Sequence, residues 1–201
     1  MSFLRPSQRF HGFQLPDAST SPDPSSHWKV SFEIRHASIH DKGSFSGIMS
    51  AIIPSINRFR DIKTLYVADI VDGIHHSFLT TQTPSVPGTR TDLRNWTLFE
   101  SFDTLCSNLN SDRSEVFNTS PLLASALHNY PYIFFRIKEL SFIDADHSMT
   151  QGLTIDGFYY AQYDKSNGKI TAYYFDARAR PGQVMRLEPV VLTNCPDINL
   201  V

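Results

Sequence analysis

At 201 residues, with 41% apolar and 19% charged residues, the chain has the composition of a soluble globular protein and is long enough to bury a sizeable core as one domain, residues 1–201. Its net charge of −2 and the lack of a basic run remove electrostatic support for nucleic-acid or anionic-membrane partners. No run is apolar enough to span a bilayer, Met1–Pro6 lacks a secretory apolar region, and Cys106 and Cys195 stand far apart without metal or redox spacing. A reduced cytoplasmic setting, or a nuclear one, is expected.

Residues 1–27 are expected to form an extended N-terminal segment, with 15–27, rich in Pro, Ser, Asp and Thr, as a loop. Trp28 to Ile34 alternates: Trp28, Val30, Phe32 and Ile34 on one side, Lys29, Ser31, Glu33 and Arg35 on the other, which predicts a strand with one buried face. Ser44 to Ile53 and Ile62 to Val71 predict two more, and Phe78–Thr80 a short fourth. Residues 81–91 read as a loop. Leu93, Trp96, Leu98, Phe99 and Phe102 recur at helical spacing from Asp92 to Leu105, with Asp92 as a cap. Residues 107–119 read as polar loop, and Asn95-Trp-Thr97 and Asn118-Thr-Ser120 as chance matches to the glycosylation pattern. Ser120-Pro121 has the form of a helix start leading to Leu127.

Tyr130 to Leu140 predicts a strong strand. Ile133, Phe135, Ile137 and Glu139 share one face; Tyr132, Phe134, Arg136 and Lys138 share the other. A hairpin follows, Gly157–Tyr163 and Ile170–Phe175, turned by Asn167-Gly168. Pairing Tyr163 with Ile170 sets Ala161 against Ala172 and Tyr159 against Tyr174 on one face. Phe158 then meets Phe175, and Tyr160 meets Tyr173, on the other. A hairpin apolar on both faces belongs in a barrel or between layers. The alanine pair beside the tyrosine pair predicts a small floor under a tyrosine wall, a candidate pocket. Gln183 to Val191 predicts a last strand, and residues 192–201 a tail. Many strands with two short helices make the protein mainly β, an antiparallel barrel or closed sandwich.

Two readings of Glu139 follow from this pattern. A strand-end carboxylate can face solvent or pair with Arg136 or Lys138. Alternatively it is a buried anion whose missing partner is a cationic ligand. Tyr159 and Tyr174 are either plain core or a pocket wall. Asp144-Ala-Asp146-His147 and His75-His76 read as surface loops. No nucleophile elbow, phosphate loop, dinucleotide loop or zinc helix is present, so neither an enzyme nor a cofactor is supported.

Phe3-Leu-Arg-Pro6, Phe10-His-Gly-Phe-Gln14, Tyr132–Glu139, Gly157-Phe-Tyr-Tyr160 and Ala172-Tyr-Tyr-Phe175 occur in the order seen in the vacuolar-import-and-degradation family, which the chain resembles over nearly its whole length. These are substrate receptors of the GID/CTLH ubiquitin ligase. They recognise proteins that begin with proline or a similar small residue. The resemblance implies a single antiparallel β-barrel of about eight strands, with helical insertions and a central peptide-binding tunnel.

It also implies roles. Glu139 holds the substrate's N-terminal ammonium, helped by the Tyr159 hydroxyl, and Gln14 bonds the substrate backbone. Tyr174 and Gln183 line the tunnel, Thr154 keeps a hydroxyl where the family commonly has serine, and Val30, Ile53 and Ile62 fall at apolar tunnel positions. Ile155 also lies at the site, although Ile155-Asp156 replaces the usual aromatic and small residue. Asn194–Val201 lacks the aromatic-acidic tail by which family members dock onto the ligase scaffold, so the resemblance bears on peptide binding more directly than on scaffold docking. From the residues alone, a lipocalin-like small-molecule carrier and a barrel enzyme using Glu139 and Tyr159 as acid and base stay open.

Overall fold

The computed structural model describes residues 4–15, 27–54, 60–80, 89–109, 116–143, 150–176 and 183–190. Eight strands close on themselves: β1 (Arg9–Leu15), β2 (Trp28–Ser38), β3 (Ser44–Ile53), β4 (Arg60–Ile70), β5 (Tyr132–Ile143), β6 (Phe158–Asp164), β7 (Ile170–Phe175) and β8 (Val184–Pro189). Every neighbouring pair is antiparallel, and β8 returns to β1. Closure leaves no unpaired sheet edge, which explains how a mainly β chain avoids edge pairing. Four helices decorate the barrel: α1 (Ile39–Lys42), α2 (Thr89–Trp96), α3 (Glu100–Asn108) and α4 (Pro121–His128).

The predicted hairpin is present in the predicted register, with Tyr163 opposite Ile170, Ala161 opposite Ala172 and Tyr159 opposite Tyr174. Gly168 takes φ 73°, a conformation that glycine adopts without a Cβ penalty, and the Asp164 side chain accepts from Ser166 N–H at 2.8 Å. Both faces of β5 and β6 are buried, for different reasons. Phe135, Ile137, Tyr159 and Ala161 point into the barrel core with Phe32, Phe45 and Tyr66. Phe134 and Tyr160 point outward into a second core beneath the helices, with Phe78, Trp96, Phe99 and Phe102. Trp96 stands edge-on to Tyr160 at 5.0 Å and donates its indole N–H to the Phe78 carbonyl at 2.8 Å.

Several expectations are corrected. Residues 1–27 are not simply extended, because Arg9–Leu15 is a barrel strand paired on both sides. Phe78–Thr80 is not a strand: Phe78 is fully buried under the helices and its N–H donates to Val116 O at 3.1 Å. The single helix expected from Asp92 to Leu105 is two, broken at 97–99, where Leu98 is half exposed and Phe99 adopts extended backbone before α3. Asp92 is no cap. It lies inside α2, fully buried, and accepts from Thr80 N–H (2.8 Å), Thr80 Oγ1 (2.6 Å) and Tyr160 Oη (2.8 Å). Ser120 does cap α4, accepting from Leu123 N–H at 3.1 Å ahead of Pro121. Asn95 is buried in α2 and bonds Thr91 O, which fits the chance reading of its glycosylation pattern. Cys106 is a buried free thiol; Cys195, the 144–147 cluster and residues 192–201 lie outside the described residues. Among the described residues no helix is long and apolar enough to cross a membrane.

Candidate functional site

One end of the barrel is hollow. The cavity there holds about 600 Å³, and its wall comes from the rims of the strands: Gln14 near the end of β1, Trp28 and Val30 at the start of β2, Met49, Ala51 and Ile53 at the end of β3. Ile62 and Thr64 of β4, Glu139 and Phe142 of β5, Tyr159 of β6 and Tyr174 of β7 continue it. The loop Gly152–Asp156, Asp176 and Gln183 complete the mouth. Deeper along the same strands the barrel is filled: Phe32 stacks on Tyr66 at 4.3 Å, and Phe45 meets Phe135 at 5.3 Å. Ala161 and Ala172, expected as the floor, are fully buried in that core and do not line the cavity.

The structure brings Gln14, Val30, Ile53, Ile62, Glu139, Thr154, Ile155, Tyr159, Tyr174 and Gln183 together around this one cavity. The wall residues not predicted are mostly those that strand alternation places beside predicted ones. Met49 and Ala51 precede Ile53 at period two, and Thr64 follows Ile62 in the same way. Phe142 was harder to foresee. A bulge at Leu140 shifts the β4–β5 register, so Tyr66 faces Glu139 while Leu65 faces Ser141. The extra residue turns Leu140 outward, where it is 57% exposed, and restores Phe142 to the cavity side.

Glu139 is therefore not a frayed, solvent-facing carboxylate. Its Oε1 accepts from Thr64 Oγ1 at 2.6 Å, and its other oxygen takes no hydrogen bond among the described residues. Burial pushes its pKa up, only partly offset by the Thr64 hydroxyl and by the charge of Lys138. Lys138 belongs to the opposite face of β5. Its ammonium sits 4.9 Å from the Phe158 ring centroid and donates to Ile155 O (2.6 Å) and Gly157 O (3.1 Å). No Lys, Arg or His lines the cavity among the described residues, whereas Glu139, Asp156 and Asp176 do.

The polar groups opposite are prearranged. Tyr159 Oη donates to Gln14 Oε1 at 3.2 Å, and Gln14 Nε2 donates to Gln183 Oε1 at 3.1 Å. This chain leaves the second Gln14 N–H and the Gln183 amide N–H groups available to a ligand. Tyr174 Oη accepts from Gly157 N–H at 3.2 Å and keeps its own proton to donate. Burial and the Glu139 charge hold the Tyr159 hydroxyl far above the ordinary tyrosine pKa, and burial pushes Tyr174 to about 12, so both stay neutral donors at physiological pH. Among the described residues no group of His, Cys, Asp and Glu is gathered closely enough to hold a metal ion. The arrangement suits an extended molecule with a cationic end and backbone-like amides.

A family model described as vacuolar import and degradation protein matches residues 3–190. No curated protein matches the chain.

Proposed function

The chain belongs to the vacuolar import and degradation protein family, and on that premise we propose that it is a non-catalytic receptor that binds the free N-terminus of target proteins and presents them to a ubiquitin ligase of the GID/CTLH type. One observation carries the reading: a buried carboxylate, Glu139, offers an oxygen with no hydrogen bond to a cavity that no cationic side chain lines among the described residues. A buried anion in that state is costly, and a ligand ammonium supplies its partner.

N-terminal proline is a secondary ammonium with two N–H donors and a compact apolar ring. Glu139 accepts one donor and neutralises the charge. The Tyr159 oxygen, whose proton goes to Gln14, accepts the other. The ring lies against Val30, Ile53 and Ile62, while Gln14 and Gln183 bond the peptide backbone and so set the direction of an extended ligand. Charge-assisted hydrogen bonds contribute roughly 1.5–3 kcal/mol each, and removing one partner of a buried pair costs roughly 3–5 kcal/mol. Glu139 thus dominates affinity, and the demand for a free amine gives the site its specificity. No step of this function makes or breaks a bond, so no catalytic pair is needed. Action on cytoplasmic or nuclear proteins, through a ligase scaffold subunit, belongs to the same proposal.

Fluorescence anisotropy with one peptide body and a varied first residue tests it. Proline and other small residues bind, and binding depends on Glu139. A protein that instead takes up apolar small molecules irrespective of Glu139 is a carrier, and the proposal fails.

A further inference from the structure

Extending the β5–β6 and β6–β7 registers by one residue sets Gly157 between Glu139 on one side and Asp176 on the other. All three share the inward parity of Ile137, Tyr159 and Tyr174. Gly157 leaves an opening in that row: a Cβ there would meet the Tyr174 hydroxyl at 2.5 Å. Asp156 precedes it on a loop latched from both sides, by Lys138 on the Ile155 and Gly157 carbonyls and by Tyr174 on the Gly157 N–H. The Asp156 N–H itself donates to Thr154 Oγ1 at 3.1 Å. The carboxylates are thus carried into the cavity wall by strand register and a pinned loop. Lys138 and the Tyr174 hydroxyl each feel the charge of all three. Lys138 offsets one of them from the outer face of β5.

We infer that the mouth is a second cation subsite, formed by Asp156 and Asp176, which selects peptides with lysine or arginine at residue two or three behind the free amino group. This rests on the N-terminus reading above. Glu139 and Asp176 stand two strand spacings apart, about 10 Å. Residues two and three of an extended ligand lie about 3–7 Å beyond residue one, and a lysine or arginine stem covers the remaining distance. Because the carboxylates are not close enough together to hold a metal ion, the row suits a chain with two separated cations, not a single ion. Exposed Asp156 attracts through solvent and gives selectivity; Glu139, in the interior, gives the affinity.

The test is anisotropy or calorimetry on the full chain. It uses Pro-starting peptides that differ only in carrying Lys, Ala or Glu at residue two or three, each also made N-acetylated. The Lys peptide is expected to bind at least fivefold tighter than Ala, and Glu more weakly than Ala, with the spread narrowing at high salt. In an Asp156→Asn/Asp176→Asn double variant, checked for folding by near-ultraviolet dichroism, the Lys-to-Ala ratio falls towards one. Equal binding of Lys, Ala and Glu peptides by the wild type, or a ratio undiminished in the variant, overturns the subsite. If acetylation still abolishes binding in that case, the N-terminus reading stands; if acetylation has no effect, both fall.

Discussion

Thr64→Val isolates the one hydrogen bond that Glu139 receives. The substitution keeps the branched shape and removes the hydroxyl that donates to Glu139 Oε1 at 2.6 Å. That hydroxyl also lies 3.5 Å from Met49 O, but it has one proton, and the shorter, charged acceptor takes it. A hydrogen bond to a charged group contributes roughly 1.5–3 kcal/mol, so the variant is expected to lose about that much stability at neutral pH, a fall of roughly 3–12 °C in Tm for a chain of this size. The bond lowers the pKa of Glu139 in the folded protein, so its contribution is present above that pKa and is lost as pH falls through it. Thermal unfolding by circular dichroism at pH 7 and pH 4, for Thr64→Val, Glu139→Gln and the double variant, reads both the size and the cause. The coupling energy of the cycle at pH 7 should exceed 1 kcal/mol and shrink at pH 4. A Thr64→Val penalty equal at both pH values, with no coupling to Glu139, refutes the reasoning and makes Thr64 a packing residue.

Glu139→Gln is expected to gain stability relative to the wild type as pH rises. The folded protein holds the Glu139 proton to higher pH than the unfolded chain, so wild-type stability falls through that window, and a Tm difference that moves the other way contradicts it. Asp92→Ala removes three hydrogen bonds and a charge that favours the buried Arg136 guanidinium; urea unfolding should report a loss of about 3–5 kcal/mol, and a loss under 1 kcal/mol would show that the network is dispensable. Gly157→Ala drives a methyl into Tyr174, so a cost of roughly 1–3 kcal/mol in the same assay is expected, together with weaker peptide binding.

Much of the barrel is legible in the sequence because its strands obey a period of two. Trp28–Ile34 shows its buried face outright, and Asn167-Gly168 sets the hairpin register. β1 hides because its inward positions are Phe10, Gly12 and Gln14, while Phe13, apolar and half exposed, breaks the alternation. The error at Phe78 has a related source. An apolar segment buried beneath helices looks like a strand when nothing local reports what covers it. Glu139 was ambiguous on pattern alone: its parity places it inward, but only the bulge at Leu140 and the Thr64 bond fix it in the cavity wall. The pocket role of Tyr159 and Tyr174 depends on the mouth loop, whose latch on Lys138 and Tyr174 carries no local signature. Asp176, at the edge of the predicted hairpin, gains meaning only from the register across three strands.

The most direct test of the central claim is calorimetry of the wild-type chain with a Pro-starting peptide and its N-acetylated twin. Acetylation removes the ammonium that Glu139 is held ready to neutralise and leaves every other contact in place. At least a tenfold loss of affinity is predicted for the acetylated peptide, about 1.4 kcal/mol or more. Equal affinity for the two peptides contradicts the account.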